Sequence, residues 1–350
     1  MPINNPLEFF VQLHLTERCN LRCTHCYQDG NRPDEMSLSE IKSVIDEVSD
    51  MLRDWEDTYD ISFTSSFNVT GGEPFLRQDI FEVLEELKDK GFNTYLLTNG
   101  TLINRNRADA LVKLGLKGVQ ISIEGPKDIH DAIRGAGSFS ATLKGIRNIV
   151  DAGIELTLNT TLSDINAPYF ADLAALASSL GAKRLGFSRL VPSGGGSKLI
   201  SRALNKETLL DLYRKIFSLE TNGLHIVTGD PVASQLRQPS KEDGHNSWPS
   251  GGCAAGVSGL TVLPDGTITP CRRMPVAIGN VRRDSLREIW ASSEILNALR
   301  DKSRYEGRCG RCKRWSSCRG CRAIAYAFSR ADGKANCLAE DPQCFLETDA

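Results

Sequence analysis

Three cysteines near the start of this chain are the residues whose type and spacing are best suited to bind metal. They are Cys19, Cys23 and Cys26, with three and then two residues between them. Thiolates are preferred ligands of iron–sulfur clusters and of zinc. Three thiolates on one loop can hold three corners of a 4Fe–4S cube and leave the fourth iron open for chemistry, whereas a structural site is normally closed by four ligands. On these residues alone, a zinc or disulfide loop remains the alternative.

A second motif, Gly71-Gly72-Glu73-Pro74, follows a predicted strand over residues 61–69. Two glycines allow a ligand to approach the backbone closely, and the Glu73 carboxylate is an acceptor for an ammonium group. The cysteine loop likewise follows a predicted strand, over residues 9–15. Both motifs therefore lie at strand ends.

In this order and at these positions, the two motifs resemble those of the radical S-adenosylmethionine (SAM) superfamily. The resemblance implies that the three cysteines bind a 4Fe–4S cluster and that the amino and carboxylate groups of SAM chelate its open iron. It also implies that the loop of Gly71, Gly72, Glu73 and Pro74 holds the SAM amino group. In that family, an electron from the cluster cleaves SAM to a 5′-deoxyadenosyl radical, which takes a hydrogen atom from an unactivated carbon.

The rest of the first 190 residues predicts strands and helices that alternate six times, which is typical of parallel βαβ units. A capping box at Ser37 and Glu40 begins the first helix. In such sheets, ligands bind at the carboxyl ends of the strands. The pattern does not distinguish a closed eight-stranded barrel from an open six-stranded one. The resemblance implies an α/β fold with a partial (β/α)6 TIM-like barrel. The predicted strands are 9–15, 61–69, 93–98, 118–123, 154–160 and 184–190.

Further polar residues at strand ends are candidate SAM contacts. Ser122 and Glu124 resemble the family's Ser-x-Asp-Gly, with Glu in place of Asp, and a turn before Pro126 is the alternative. Asn159 ends the fifth predicted strand and is a SAM contact or a partner of a neighbouring backbone group. Arg189 ends the sixth strand, where an arginine needs an anionic partner. We therefore predict that Arg189 contacts a ligand carboxylate.

Two nearby segments carry weaker signals. His130-Asp131-x-x-Arg134-Gly is similar to a segment of the family, and Arg134 is a candidate partner for a carboxylate of SAM or substrate. Surface or capping roles are the alternatives for His130 and Asp131. The run Gly194-Gly195-Gly196 lacks the Lys-Ser or Lys-Thr of a phosphate loop and predicts a mobile loop on the substrate side.

The other eight cysteines lie in the C-terminal third of the chain, after a polar stretch rich in Pro, Ser and Gly. We therefore predict a first domain over residues 1–230, a linker over 231–252 and a second domain over 253–350. Asp265-Gly266 predicts a hairpin turn within the second domain. Eight thiolates make two sets of four, and Cys-x2-Cys pairs are also ordinary in zinc sites. The eight are Cys253, Cys271, Cys309, Cys312, Cys318, Cys321, Cys337 and Cys344.

This cysteine pattern resembles the SPASM extension of radical SAM enzymes, which carries two auxiliary 4Fe–4S clusters that can accept an electron from the substrate radical. By that resemblance, an outer cluster is held by Cys309, Cys312, Cys318 and Cys344. An inner cluster is held by Cys253, Cys271 and Cys321. Either Cys337 is its fourth ligand, or the cluster keeps an open site for substrate. Cys321 departs from the common spacing, since two residues instead of three precede it. The ends of the pattern resemble the branch of mycofactocin and pyrroloquinoline-quinone peptide maturases and of haem-biosynthesis side-chain decarboxylases.

Composition excludes several other classes of protein. The 350 residues are 40% apolar and carry a net charge of −2, which gives no reason to expect nucleic acid as a partner. The sequence has neither a secretory signal nor an apolar run of membrane-spanning length, so we expect a cytoplasmic protein. Eleven cysteines in such a chain favour metal over disulfides.

For the substrate we favour a ribosomally made peptide or protein that is oxidatively cross-linked or decarboxylated. Because the first predicted strand begins near residue 8, a separate leader-binding protein is expected to present a peptide. A tetrapyrrole precursor of haem is the alternative substrate, and flavodoxin or ferredoxin is the expected electron donor. The sequence identifies no acid or base catalyst. The remote alternative is that the chain is a non-catalytic zinc-binding or iron–sulfur protein. In such a protein the motif of residues 71–74 would have no role.

Overall fold

The computed structural model describes residues 6–30, 34–237 and 249–346. Its centre is one sheet, in which seven parallel strands, β1 to β7, lie side by side in chain order. Three short strands, β8 to β10, continue the sheet beyond β1. Within the described residues the two outermost strands, β7 and β10, do not pair, so the barrel is open. The strands are β1 Leu7–His14, β2 Phe63–Thr70, β3 Asn93–Thr98, β4 Gly118–Ser122, β5 Leu156–Leu162, β6 Arg184–Arg189, β7 His225–Thr228, β8 Gly259–Val262, β9 Thr267–Thr269 and β10 Gly279–Asn280.

Helices connect the parallel strands and cover the outside of the sheet. The first helix begins with the predicted capping box, in which Glu40 N–H donates to the Ser37 hydroxyl and Ser37 N–H donates to the Glu40 carboxylate. Its buried apolar residues recur at helical spacing and pack on the sheet. The helices are α1 Leu38–Tyr59, α2 Ile80–Asp89, α3 Arg105–Lys113, α4 Lys127–Arg134, α5 Ser138–Asp151, α6 Phe170–Ser179, α7 Lys206–Phe217, α8 Pro231–Arg237, α9 Leu286–Ser292, α10 Glu294–Arg300, α11 Gly307–Arg311 and α12 Arg322–Ala331.

The predicted α/β class and partial barrel are confirmed, with two differences in detail. A seventh parallel strand, β7, pairs with β6, and its four residues are too few to show a strand pattern in the sequence. The first part of the predicted linker is helix α8, because Asp230 Oδ1 accepts hydrogen bonds from the N–H groups of Val232 and Ala233 at its start. The rest of that linker, residues 238–248, lies outside the described residues.

The cysteine-rich C-terminal part is joined to the barrel through the sheet itself. The predicted hairpin is confirmed, since β8 and β9 pair in antiparallel fashion around Asp265-Gly266. Strand β8 also pairs in parallel with β1, at residues 10–13 of the strand that leads to the cysteine loop. The inner cysteines therefore have a fixed position relative to the barrel.

A buried charge network makes a second connection between the barrel and the C-terminal part. Arg189, at the end of β6, is only 1% exposed. Its Nε donates to Asp230 Oδ2 at 2.5 Å and its Nη2 donates to Asp341 Oδ2 at 2.8 Å. Asp341 Oδ2 also accepts the N–H of Cys321 at 2.8 Å. Arg189, predicted to contact a ligand carboxylate, thus pairs with two carboxylates of the chain itself. Burial lowers its pKa, but Asp230 and Asp341 outweigh burial and hold that pKa above the usual value.

The network gives a stability prediction with a control on the same strand. Arg189→Met would leave Asp230 and Asp341 buried without their cation, so we expect the free energy of unfolding to fall by about 3–5 kcal/mol. Arg184→Met removes an exposed pair with Glu155 and should cost less than about 1 kcal/mol. Chemical denaturation of both variants measures the difference. Equal losses would show that the network does not hold the two parts together.

Candidate active site

An open cleft of about 930 Å³ lies at the carboxyl ends of the parallel strands. Eight of the predicted site residues line it, and they come from four of the parallel strands or the residues just after them, and from the cysteine loop. They are Cys19, Cys23, Cys26, Gly71, Gly72, Ser122, Asn159 and Arg189. The other three residues predicted to bind SAM, which are Glu73, Pro74 and Glu124, are buried behind the cleft wall.

The three thiols of the cysteine loop face this cleft among hydrogen-bond donors. The Leu21 N–H lies 3.5 Å and the Asn99 amide nitrogen 3.9 Å from Cys19 Sγ, and Arg134 Nη1 lies 3.8 Å from Cys23 Sγ. Burial raises the pKa of the Cys23 thiol to about 11, although Arg134 opposes this rise. Coordination to a metal deprotonates such a thiol outright. Within the described part of the chain, no three His, Cys, Asp or Glu side chains converge closely enough for a single metal ion.

The two glycines of the second motif allow one loop backbone to pack directly on another. The Gly72 N–H donates to the Thr16 carbonyl at 2.7 Å, and the Glu73 N–H donates to the Arg18 carbonyl at 2.8 Å. A Cβ atom added at Gly72 would collide with the Arg18 carbonyl oxygen. These glycines therefore allow the chain's own cysteine loop to approach closely, in addition to leaving space in the cleft.

Glu73 supports the site from behind instead of pointing into it. Its carboxylate accepts hydrogen bonds from the Thr98 hydroxyl at 2.8 Å, the Asn99 N–H at 2.9 Å and the Phe75 N–H at 3.3 Å. Burial raises the pKa of Glu73, and the hydrogen bonds from Asn99 and Thr98 counteract that rise. The cleft at this edge is lined by Thr98 and Asn99 themselves, which sequence reasoning missed. The Asn99-Gly100 turn after β3 is the signal that could have identified them.

Glu124 is a second buried carboxylate that joins several parts of the site. It accepts hydrogen bonds from Arg134 Nε at 2.9 Å and the Thr161 N–H at 2.9 Å, and it lies 3.3 Å from His25 Nε2. Burial raises its pKa, but the charges of Arg134 and His25 outweigh burial and hold that pKa well below the usual range. Arg134, predicted to pair with a ligand carboxylate, therefore pairs with Glu124.

The Gly194-Gly195-Gly196 run also packs against the cysteine loop. It begins a 3-10 helix, Gly194–Arg202, instead of forming the predicted mobile loop. The Gly195 N–H donates to the Gln28 carbonyl at 2.8 Å, and the Gly196 N–H donates to the Cys26 carbonyl at 2.7 Å. Gly194 has a φ of +55°, and a Cβ atom there would collide with the Tyr27 carbonyl. Gly194 is needed because two backbones meet there.

Two arginines from the C-terminal part complete the cleft wall, and sequence reasoning missed both. The Arg272 guanidinium lies 5.7 Å from the centre of the Tyr27 ring. Arg273 Nε is buried and has no hydrogen-bond partner among the described residues. Burial lowers the pKa of Arg273, but the interactions with Cys321 and Cys271 outweigh burial and raise it. Within the described chain, no Asp or Glu side chain lines this cleft.

The C-terminal cysteines fall into two neighbourhoods. All four cysteines of the predicted outer set line one cavity together with Trp315 and Asp341, and these four are Cys309, Cys312, Cys318 and Cys344. Of the predicted inner set, Cys271 and Cys321 are close enough to Arg273 to raise its pKa. Cys253 is close enough to Cys321 to raise the pKa of the Cys321 thiol. The Cys253 N–H donates to the Cys318 carbonyl at 3.1 Å and so links the two sets. Arg322 donates to the carbonyl of Cys337, and no contact among the described residues places the Cys337 thiol in either set.

Three thiols in the mouth of an open parallel barrel, with further cysteine groups beside it, define a class of iron–sulfur enzyme. Family models agree with this geometry. The model of the radical SAM superfamily matches residues 13–177, and the SPASM model, an iron–sulfur cluster-binding domain, matches residues 253–322. The chain belongs to the radical SAM superfamily and carries a SPASM domain, so its cofactors are 4Fe–4S clusters and SAM.

Curated relatives and solved structures are similar to this chain over nearly its whole length. An AdoMet-dependent heme synthase of Oleidesulfovibrio alaskensis is 31% identical and covers 95% of this chain and 86% of its own length. The mycofactocin maturase MftC of Mycobacterium tuberculosis is 30% identical over 94% of this chain and 81% of its own. The structure of Streptococcus suis SuiB bound to its precursor peptide SuiA has a TM-score of 0.73 at 17% identity, and covers 97% of this chain and 76% of that one. No helix in the described ranges has the length and apolar character needed to cross a membrane.

The contact between the cysteine loop and the loop of residues 71–74 predicts that two glycine variants differ in thermal stability and iron binding. Gly72→Ala would push the cysteine loop away from the motif of residues 71–74, so we expect lower thermal stability and less iron bound after reconstitution. Gly195→Ala is the matched control, because its added Cβ would meet no atom closer than 3.4 Å. Iron analysis and thermal melting of both variants provide the comparison. If Gly72→Ala binds as much iron as Gly195→Ala, the contact is not needed for the site.

Proposed function

We propose that this chain oxidises a carboxylate-bearing side chain of a tetrapyrrole precursor of haem, using a radical generated from SAM. The observation that carries the proposal is that Arg272 and Arg273 line the same cleft as the three thiols, without a lining acid in the described chain. Guanidinium groups are suited to binding carboxylates through paired hydrogen bonds. The AdoMet-dependent heme synthase of O. alaskensis supports this substrate class.

The residues present fit the cofactors that the family uses. Cys19, Cys23 and Cys26 would hold the 4Fe–4S cluster that binds SAM, while the predicted outer and inner sets would hold two auxiliary clusters. When bound, the first cluster supplies the electron that cleaves SAM and so provides the hydrogen-abstracting radical. Around it, Asn99 and Arg134 direct donors at the sulfur atoms of Cys19 and Cys23, which stabilises thiolate charge. Gly71, Gly72, Ser122 and Asn159 line the space left for SAM.

The arginine pair would orient the reacting side chain. A propionate side chain that loses one hydrogen atom, carbon dioxide and one electron becomes a vinyl group. Holding its carboxylate at Arg272 and Arg273 would direct the neighbouring carbons into the cleft. The released electron needs an acceptor close to the substrate. Cys271 directly precedes this pair in the chain and belongs to the predicted inner set, so the acceptor would lie beside the carboxylate.

A ribosomally made peptide is a second candidate substrate. The observation that favours it is the 30% identity to MftC of M. tuberculosis, which is named as a mycofactocin maturase. A C-terminal carboxylate of a peptide would satisfy the same arginines.

Turnover without oxygen tests the two candidates. The reconstituted protein is incubated with SAM, a reductant and either iron coproporphyrin III, whose rings carry propionates, or peptides encoded beside its gene. Mass spectrometry follows the products. Loss of carbon dioxide and two hydrogens per propionate supports the proposal, whereas a modified peptide with an unchanged porphyrin supports the second candidate.

The arginine pair gives a prediction about substrate binding. Arg272→Gln or Arg273→Gln removes a charged hydrogen-bond donor from the cleft, so we expect kcat/KM to fall about tenfold or more. SAM cleavage without substrate should continue. Arg283→Gln, which changes an exposed arginine next to Asp284, is the control and should retain full kcat/KM. Unchanged kinetics in both cleft variants would remove the carboxylate site from the proposal.

The cysteine sets give a prediction about iron. The wild type should bind about twelve irons, as expected for three four-iron clusters. Cys23→Ala should abolish reductive SAM cleavage and leave the C-terminal iron in place. Cys312→Ala should reduce iron and substrate turnover more than SAM cleavage. Iron and acid-labile sulfide analysis, with zinc as the comparison, measures these contents. About four irons together with zinc in the wild type would exclude the auxiliary clusters.

A further inference from the structure

Tyr27, next to the last cysteine of the cysteine loop, lies on the border between the cleft and a second cavity. Tyr27, Gln28 and Arg272 line both spaces. Three acidic residues also line this second cavity, which we call the side cavity, and they are Glu17, Asp29 and Asp265. The cleft has no acid among the described residues that line it. The two spaces that meet at Arg272 therefore differ in charge.

The Arg272 guanidinium has a partner of a different kind on each side. Its central carbon lies 5.7 Å from the centre of the Tyr27 ring, which is within the range of a cation–π contact. Among the described residues that line the side cavity, Arg272 is the only Lys or Arg, so the carboxylates there attract its guanidinium away from the cleft. The position of Arg272 therefore depends on the balance between the Tyr27 ring and these acids.

Tyr27 itself is held in place by the barrel. The loop after β6 donates hydrogen bonds to the carbonyls of Cys26 and Gln28, at 2.7 and 2.8 Å, and so fixes the main chain on both sides of Tyr27. The Tyr27 ring packs at 70° to the ring of His14, the last residue of β1, with 6.1 Å between the two ring centres. Both the main chain and the ring of Tyr27 are therefore attached to strand ends of the barrel.

His14 can support Tyr27 without adding a charge. The histidine is fully buried, and neither of its ring nitrogens has a hydrogen-bond partner among the described residues. Burial and the charge of Arg272 lower the pKa of His14 to about 3, so its ring is neutral at physiological pH. A neutral ring packs against Tyr27 without repelling the guanidinium of Arg272. This packing gives a role to a buried histidine that the proposed cofactor sites do not use.

We infer that Tyr27 is a positioning residue, which keeps the Arg272 guanidinium ready to bind a carboxylate in the cleft against the attraction of the side-cavity acids. The inference rests on the proposed function, in which Arg272 binds the carboxylate of the substrate. Tyr27 directly follows Cys26, so it connects an arginine of the SPASM domain to the loop of the three thiols. The reacting side chain of the substrate is thereby placed relative to that loop.

Four variants of the reconstituted holoenzyme test this inference, with iron coproporphyrin III as the substrate. Tyr27→Leu removes the ring, and Tyr27→Phe keeps the ring without its hydroxyl. Tyr27→Leu/Asp265→Asn also removes one charge from the side cavity, and its amide oxygen can still accept the Thr267 N–H, as Asp265 Oδ1 does at 3.0 Å. Tyr27→Leu/Asp284→Asn is the matched control, because Asp284 does not line the side cavity and likewise accepts a main-chain N–H, from Asn280.

We expect Tyr27→Leu to lower kcat/KM about threefold to tenfold, a larger loss than in SAM cleavage without substrate. Tyr27→Phe should retain the wild-type kcat/KM, because a cation–π contact needs only the ring. Adding Asp265→Asn to Tyr27→Leu should restore most of the lost kcat/KM, because that acid no longer attracts the released arginine. Adding Asp284→Asn should restore none of it. Mass spectrometry of the porphyrin measures turnover, and iron analysis accompanies each variant.

Several results would overturn the inference. Equal kcat/KM in the wild type and Tyr27→Leu would show that the ring does not position Arg272. A loss that Asp265→Asn does not restore would assign Tyr27 to the fold of the cysteine loop, and equal restoration by both double variants would assign the effect to net charge. These results concern Tyr27 alone. Failure of the wild type to convert iron coproporphyrin III would instead reject the proposed function, and this inference with it.

Discussion

The site depends on main-chain contacts that hold the cysteine loop from two sides. On one side, Thr16 and Arg18 accept hydrogen bonds from the loop that follows β2. On the other side, Cys26 and Gln28 accept them from the loop that follows β6. Such contacts require that no side chain separates the backbones, so glycines stand at both places. Three thiols on a loop without regular secondary structure can in this way face one cleft in a fixed arrangement.

Buried carboxylates hold the elements around that loop and leave the cleft positive. Glu73 joins the β2 loop to the end of β3, and Glu124 joins the cysteine loop to α4 and β5. Each carboxylate is satisfied by several hydrogen bonds, as a buried charge requires. Because Arg134 and Arg189 are paired with the chain's own acids, the remaining cations of the cleft wall are Arg272 and Arg273. This division of charge is the physical basis of our proposal of a carboxylate-bearing substrate.

Two connections fix the SPASM domain against the barrel. Strand β8 extends the sheet beside β1, and Asp341 links Arg189 of β6 to the N–H of Cys321. The positions of the inner thiols relative to the cleft are thus set by a sheet register and a buried ion pair.

The sequence alone determined the cysteine spacings, the alternation of strands and helices, and the division into barrel and cysteine-rich part, because these depend on local pattern and composition. It also predicted an outer set of four cysteines, through the resemblance of their spacing to a known domain, and these four line one cavity. Only the tertiary structure decided the roles of Arg189, Glu73 and Glu124, which resembled ligand contacts and are buried partners of other residues. Only it brought Arg272 and Arg273 to the cleft. The physical reason is that the partner of a buried charge is chosen by which strand ends and loops meet in space, and residues such as Arg189 and Asp341 are more than 150 positions apart in the chain.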